Sequence, residues 1–117
     1  MTLGLLKIVV QAMDRKHGDD ISVLDMKGVS LVADHFVICH GYSSKQVQAI
    51  AREVKDKVCD AGFHLKRLAG FDKARWILID AGDVVVHIFH EEERQYYNLD
   101  KLWGDALRMD WAKFIDE

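Results

Sequence analysis

A tryptophan, two carboxylates and an imidazole interrupt an otherwise apolar stretch, RWILIDAGDVVVHIFHEEER, which runs from Arg75 to Arg94. The interrupting residues are Trp76, Asp80, Asp83 and His87. Two nearby carboxylates can act as ligands for Mg²⁺. A tryptophan among aliphatic residues with a polar rim is instead typical of a protein interface. The residue types therefore indicate either a metal site or a surface for a protein partner.

The alternation of side chains in this stretch predicts a β-hairpin with a two-residue turn at Ala81-Gly82, because glycine adopts positive φ without strain. The predicted register places three pairs on one face: Asp80 with Asp83, Leu78 with Val85, and Trp76 with His87. The other face is pure isoleucine and valine, which helices would cover. The mixed face is too apolar for bare solvent and too polar for a sealed core. Directly opposed like charges cost stability, and folding does not require them there. The mixed face is therefore interpreted as an uncovered interface.

Two other interpretations of these residues stay open. Aspartate is common at turns because it hydrogen-bonds nearby backbone groups, so the arrangement could be purely structural. Alternatively, Asp80 and Asp83 could hold Mg²⁺ beside a phosphate bound by the backbone amides of Gly41 to Ser44, where a helix begins. Serine at a helix start is more often an ordinary cap.

The other histidines, the cysteines and the sequence motifs do not indicate a metal, cofactor or catalytic site. His87 and His90 are three residues apart on one strand, so their side chains point to opposite faces and cannot share a metal. No catalytic Ser/His/Asp or Cys/His grouping can be assembled from the spacing of these residues, and the sequence has no phosphate- or dinucleotide-binding glycine motif. Cys39 and Cys59 lie in apolar contexts and are predicted to be buried free thiols.

The hydrophobic periodicity of the chain predicts the elements that position the hairpin. Ser43 and Gln46 form a capping box for a central helix that ends near Gly62. The other predicted elements are a helix over 3–17, strands over 20–26, 35–40, 63–68, 75–80 and 83–89, short helices after 90, and a terminal helix over 107–117. This order predicts an α/β (α+β) fold with a single mixed sheet of about five strands layered with helices. The segment 35–68 is predicted to form a parallel crossover.

Length and charge limit the classes of function. The 117 residues suit one domain, and the net charge of −3 lacks the bulk positive charge that drives binding to a nucleic-acid backbone. We therefore expect protein contacts to dominate over direct RNA contacts. No signal peptide or membrane-spanning segment is predicted, which indicates a cytoplasmic protein.

Two long segments carry a family resemblance. ISVLDMKGVSLVADHFVICHGYSSKQVQAIAREV and ARWILIDAGDVVVHIFHEEERQYYNLDKLWGDA closely resemble the ribosomal silencing factor family, also called the Iojap-related family. The likeness covers nearly all of residues 3–106. Its most specific parts are the D-x-G-D-V-x-V-H run from Asp80 to His87 and the YYNLDKLWGDA end. The tail over 107–117 lies beyond the shared pattern.

The resemblance implies a non-enzymatic protein whose fold is related to nucleotidyltransferases but lacks their catalytic carboxylates. It also implies binding to large-subunit ribosomal protein fourteen, with little direct rRNA contact, and a steric block to small-subunit joining that represses translation. The partner-binding residues it implies are Trp76, Asp80, Gly82, Asp83, Val85 and His87, with Arg75, Leu78 and Tyr96 as further members. A degenerate nucleotide- or metal-binding protein and a homodimer that uses the same face are the alternatives.

Overall fold

The computed structural model describes residues 2–28, 33–97 and 107–109. The elements in chain order are α1 (Thr2–Arg15), β1 (Asp19–Asp25), β2 (His35–Gly41), α2 (Ser44–Asp60), β3 (Arg67–Ala69), β4 (Trp76–Asp80), β5 (Val84–His90), α3 (Glu91–Tyr97) and β6 (Leu107–Met109). The strands form one sheet in the order β3-β4-β5-β2-β1-β6. β2 and β5 are parallel, and the other neighbouring pairs are antiparallel. The predicted fold class, a single mixed sheet layered with helices, is confirmed.

The sixth strand comes from the segment that the periodicity predicts as the terminal helix. Leu107–Met109 pairs antiparallel with Val23–Asp25 of β1, so the helical prediction is wrong for these residues. The rest of the predicted helix lies outside the described residues. The reason for the error is that the edge of β1 offers unpaired backbone groups, which an approaching segment can satisfy whatever its own helical spacing.

The strand predicted over 63–68 is shorter and begins later, at Arg67. After α2, Gly62 has a φ of 88°, and the chain then crosses from the helix layer to the sheet edge. Phe63 and Leu65 pack against the core along this crossing. β3 runs in the same direction as β2, as a crossover requires, but β4 and β5 lie between them.

The two long helices cover one face of the sheet, and α2 follows its sequence signals closely. Ser43 caps α2 by accepting a hydrogen bond from the Gln46 N–H at 3.1 Å. Gln46 Oε1 accepts from the Tyr42 N–H at 2.8 Å, one residue earlier than in a standard capping box. The buried face of α2 consists of Val47, Ile50, Ala51, Val54 and Val58. This stripe packs with α1 and with the isoleucines and valines of β4 and β5 in the main core.

The two cysteines are free thiols in different environments. Cys39 on β2 is buried, and burial raises the pKa of its thiol to about 12. Cys59 is exposed, so its predicted burial is wrong. It follows Val58 on α2 and therefore lies off the apolar stripe that faces the core. Neither α1 nor α2 nor any other helix of the described chain is long and apolar enough to cross a membrane.

Candidate partner-binding face

The β4–β5 hairpin turns one residue later than predicted. The Ala81 N–H donates to the Val84 carbonyl at 3.0 Å, so the two turn residues are Gly82 and Asp83. The observed register pairs Asp80 with Val85, Leu78 with His87, and Trp76 with Phe89. The predicted turn at Ala81-Gly82 and the predicted pairing of Asp80 with Asp83 are therefore wrong.

Backbone contacts outside the hairpin explain this register. The Asp83 carbonyl accepts from the N–H groups of Asp34 and His35 at 2.8 and 3.1 Å, which ties the turn to the start of β2. Gly82 takes the left-handed conformation, with a φ of 91°. Asp80 Oδ1 accepts from the Gly82 N–H at 2.9 Å, which is the local turn role that the structural interpretation assigned to aspartate. Asp80 and Asp83 are therefore not a cross-strand pair, and the predicted direct opposition of the two carboxylates does not occur.

The new register leaves the sorting of side chains between the two faces unchanged. Moving the turn by one residue shifts the strand pairing by two positions, and side chains alternate with a period of two. Trp76, Leu78 and Asp80 still lie on the face opposite α1 and α2, together with Val85 and His87. We call this surface the Trp76 face. It continues across β2 through Phe36 and Ile38, which lie beside Val85 and His87.

The indole of Trp76 is held by two neighbours on β5. Its ring stacks on Phe89, with centroids 5.0 Å apart and an interplanar angle of 28°. Its N–H donates to Nδ1 of His87 at 3.1 Å. Phe89 belongs to the Trp76 face and was missed by the sequence analysis, although it lies two residues beyond His87 and the strand alternation could have found it.

Exposure divides the predicted partner-binding residues into two groups. Val85 and His87 are only 6% and 4% exposed, so the expectation that the whole face is uncovered is wrong for β5. Trp76, Leu78, Asp80 and Gly82 are partly exposed, and Arg75 and Asp83 are exposed. The side chain of Tyr96, in α3, lies outside the described part of the structure. The accessible strip of the Trp76 face is therefore β4 and the turn.

His87 is a buried neutral imidazole. Burial lowers the pKa of its side chain to about 4. Nδ1 accepts from Trp76, so the ring proton is on Nε2, which is buried without a hydrogen-bond partner among the described residues. Phe36 packs against the ring with centroids 4.9 Å apart. These apolar contacts stabilise the neutral form, which costs less than a charge to bury.

The depressed pKa of His87 predicts that acid destabilises the fold. Between about pH 6.5 and pH 4 the unfolded chain binds more protons than the folded chain, so the free energy of unfolding rises with pH. We expect the free energy of unfolding to fall by about 2 kcal/mol as the pH is lowered from about 7 to 5. Urea unfolding at each pH measures this fall. The control variant is His87→Gln, in which residue 87 does not titrate. Burial also lowers the pKa of His35. His35 is present in both proteins, so its contribution to the pH dependence cancels in the comparison. An equal slope in the variant would contradict the assignment.

α3 is attached to the sheet by two arginines. Arg94, only 8% exposed, donates to the Asp20 carbonyl at 2.6 Å and to Ser22 Oγ at 3.1 Å, and lies 3.1 Å from His40 Nδ1. Ser22 and His40 lie on the Trp76 face. The contacts of Arg94 with them therefore hold α3 over the end of that face that is far from the hairpin turn. Arg75 donates to Glu93 Oε1 at 2.8 Å beside Trp76. The role of Arg94 carries no sequence signal, because its partners lie more than fifty residues away.

The Mg²⁺ and phosphate interpretation is contradicted by the sheet topology. In the parallel β2–β5 pair, His35 lies beside Val84 and Gly41 lies beside His90. Asp80 and Asp83 are therefore at one end of β2 and the Gly41–Ser44 segment is at the other, about 20 Å apart for six strand residues. Among residues 2–28, 33–97 and 107–109 no group of three or more histidine, cysteine or acidic residues could hold a metal ion.

The fold is that of a small α+β protein, and its Trp76 face is an apolar, acid-edged sheet surface that is partly exposed along β4. The family model described as "Ribosomal silencing factor during starvation" matches residues 2–117. The chain belongs to the ribosomal silencing factor family, as the sequence resemblance predicted.

Individual relatives agree with this assignment. The chain is 63% identical over 103 residues to a "Ribosomal silencing factor RsfS" of Bacillus subtilis, covering 88% of this chain and 87% of that protein. It is 59% identical over 102 residues to the protein of the same name from Halalkalibacterium halodurans, covering 87% of each. A crystal structure of a Bacillus halodurans protein superposes with a TM-score of 0.83 at 52% identity, covering 92% of this chain and 97% of that one.

Proposed function

We propose that this protein binds the large ribosomal subunit through large-subunit ribosomal protein fourteen and sterically prevents the small subunit from joining, which represses translation. Membership of a family described as silencing factors supports a role in translation. The observation that carries the proposed contact is the partly exposed strip of Trp76 and Leu78 on β4, which ends in Asp80 and the exposed Asp83.

In the proposed complex, Trp76 is an anchor that is positioned before binding. Its stacking on Phe89 and its hydrogen bond to His87 restrict the indole in the free protein. A side chain that is already ordered loses little conformational entropy on association, so more of its contact free energy appears as affinity. Val85 and His87 are too buried to touch a partner over much area, and they contribute by supporting the exposed residues.

The test of this proposal is co-sedimentation of the protein with purified large subunits, followed by addition of small subunits. Binding should reach saturation, and light scattering should show fewer joined ribosomes as the protein concentration rises. Isolated ribosomal protein fourteen should compete with the large subunit for the protein. Saturable binding that leaves subunit joining unchanged would refute the steric block, and a lack of competition would refute the proposed partner.

Asp83 is predicted to speed association. It is exposed, and its carboxylate makes no hydrogen bond or ion pair with the described residues, so it can face a basic partner. We expect Asp83→Lys to slow association with large subunits about fivefold at low salt, and the difference should shrink at high salt. Stopped-flow fluorescence measures the rate, and Asp14→Lys makes the same charge change at an exposed position on α1. Equal slowing by both variants would show that only net charge matters.

A further inference from the structure

An apolar groove lies on the helix side of the sheet, away from the Trp76 face. It has a volume of about 480 Å³ and lies between α2 and the segment around β3. Its apolar walls are Ala51 of α2 and Leu65, Leu68 and Phe71. Leu68 pairs with Ile79, whose side chain lies in the helix-covered core, so the groove opens beside the edge of the sheet.

β3 is an edge strand whose outer side pairs with no other strand of the described chain. Arg67 on β3 and Lys66 just before it are exposed, so no part of the chain that the structure describes covers these two side chains. An edge strand presents backbone N–H and C=O groups that an extended segment of another chain can pair with. The groove and the edge together offer side-chain and backbone contacts to one extended polypeptide.

The charge around this groove is opposite in sign to that of the whole chain. The chain has a net charge of −3, with 16 basic and 19 acidic residues. The exposed charged residues around the groove and β3 are Arg52, Lys55, Lys66, Arg67 and Lys73, against Asp56 and Asp72. None of these basic residues makes an ion pair with the described residues. The edge is therefore suited to a partner that carries carboxylates.

We propose that the groove and the β3 edge bind an extended acidic segment of a second protein, which adds to the sheet as a strand beside β3. Side chains alternate along such a strand, so one bulky aliphatic residue enters the groove between Leu68 and Phe71. The residues before and after it in the added strand point to the opposite face of the sheet. Arg67 lies on that face together with Asp80, so carboxylates at these positions meet Arg67. Carboxylates further along the groove side meet Lys55 of α2.

The same observations disfavour two other occupants. Two copies of this chain pairing edge to edge would bring Lys66 and Arg67 of each copy together, and like charges repel. A nucleic acid would use aromatic rings for base stacking, but the guanidinium of Arg52 lies 5.2 Å from the centroid of the Phe71 ring and covers it.

The experiment uses the full chain and a fluorescein-labelled seven-residue peptide of alternating glutamate and leucine. Fluorescence anisotropy should show saturable binding, and amide chemical shifts should change in β3 and around Ala51 to Asp56. We expect Lys55→Glu and Arg67→Glu each to weaken binding about tenfold, the loss of one charge-assisted contact. Lys45→Glu makes the same charge change about 10 Å along α2 from Arg52 and should leave affinity within about twofold.

Other outcomes would overturn the inference. These are absent peptide binding at concentrations on the order of 1 mM, equal weakening by all three charge reversals, or tighter binding of a single-stranded oligoribonucleotide than of the peptide. The inference does not rest on the proposed function. Trp76→Ala should leave peptide binding unchanged while reducing ribosome binding, so the two proposals can fail separately.

Discussion

Replacing Trp76 with alanine is expected to weaken binding to the large ribosomal subunit by about 30-fold or more, equivalent to about 2 kcal/mol. The substitution removes the partly exposed aromatic anchor of the accessible β4 strip. Large aromatic residues at the centre of an interface carry a disproportionate share of binding free energy. Co-sedimentation with labelled protein measures the dissociation constant, and the subunit-joining assay should show a matching loss of inhibition.

The same substitution also removes contacts within the protein, so stability must be measured in parallel. Trp76 stacks on Phe89 and donates a hydrogen bond to His87, and the alanine variant loses both contacts. Trp76→Phe keeps a smaller aromatic ring on Phe89 and loses the N–H donor and part of the indole's ring area, so it should stay folded and bind with intermediate affinity. Wild-type affinity in a folded Trp76→Ala variant would show that the Trp76 face is not the interface.

The matched control for the loss of an exposed aromatic ring is Tyr42→Ala. Tyr42 is 52% exposed and follows β2 at the end far from the hairpin turn, where its hydroxyl donates to Asp19. We expect this variant to bind large subunits with the wild-type affinity. A comparable loss in both variants would attribute the effect of Trp76→Ala to general damage.

Replacing Arg94 with methionine is expected to lower the free energy of unfolding by about 3 kcal/mol. Methionine keeps much of the buried aliphatic volume but removes the hydrogen bonds that Arg94 donates to the part-buried Asp20 carbonyl and to the buried Ser22 Oγ. A buried polar group that loses its partner carries the full desolvation cost. Urea unfolding followed by circular dichroism measures the change, and amide hydrogen exchange should show faster opening of α3 than of α2.

The control is Arg15→Met, which removes an arginine from an exposed ion pair. The Arg15 side chain is 52% exposed and lies 3.0 Å from Glu53. Exposed ion pairs contribute little to stability, so we expect Arg15→Met to lower the free energy of unfolding by less than about 1 kcal/mol. Equal effects of the two substitutions would mean that the buried contacts of Arg94 are not what attaches α3 to the sheet.

The hairpin shows why a local pattern can assign faces correctly and still give the wrong register. The turn was placed at Ala81-Gly82 because glycine marks the turn, but the observed turn is Gly82-Asp83. Hydrogen bonds from Asp34 and His35 to the Asp83 carbonyl hold the turn against the start of β2. These donors are almost fifty residues away in the chain, so no property of the hairpin segment reveals them.

Sequence alone was sufficient for the features that depend on near neighbours. The cap at Ser43, the buried stripe of α2 and the grouping of Trp76, Leu78 and Asp80 on one face all follow from helical and strand periodicity. Tertiary structure alone decided that β6 is a strand on β1 and that His87 is sealed while Trp76 stays partly exposed. Burial and edge pairing depend on contacts between segments that are distant in the chain, such as the contact of Arg94 with Ser22. The periodicity within one segment does not predict those contacts.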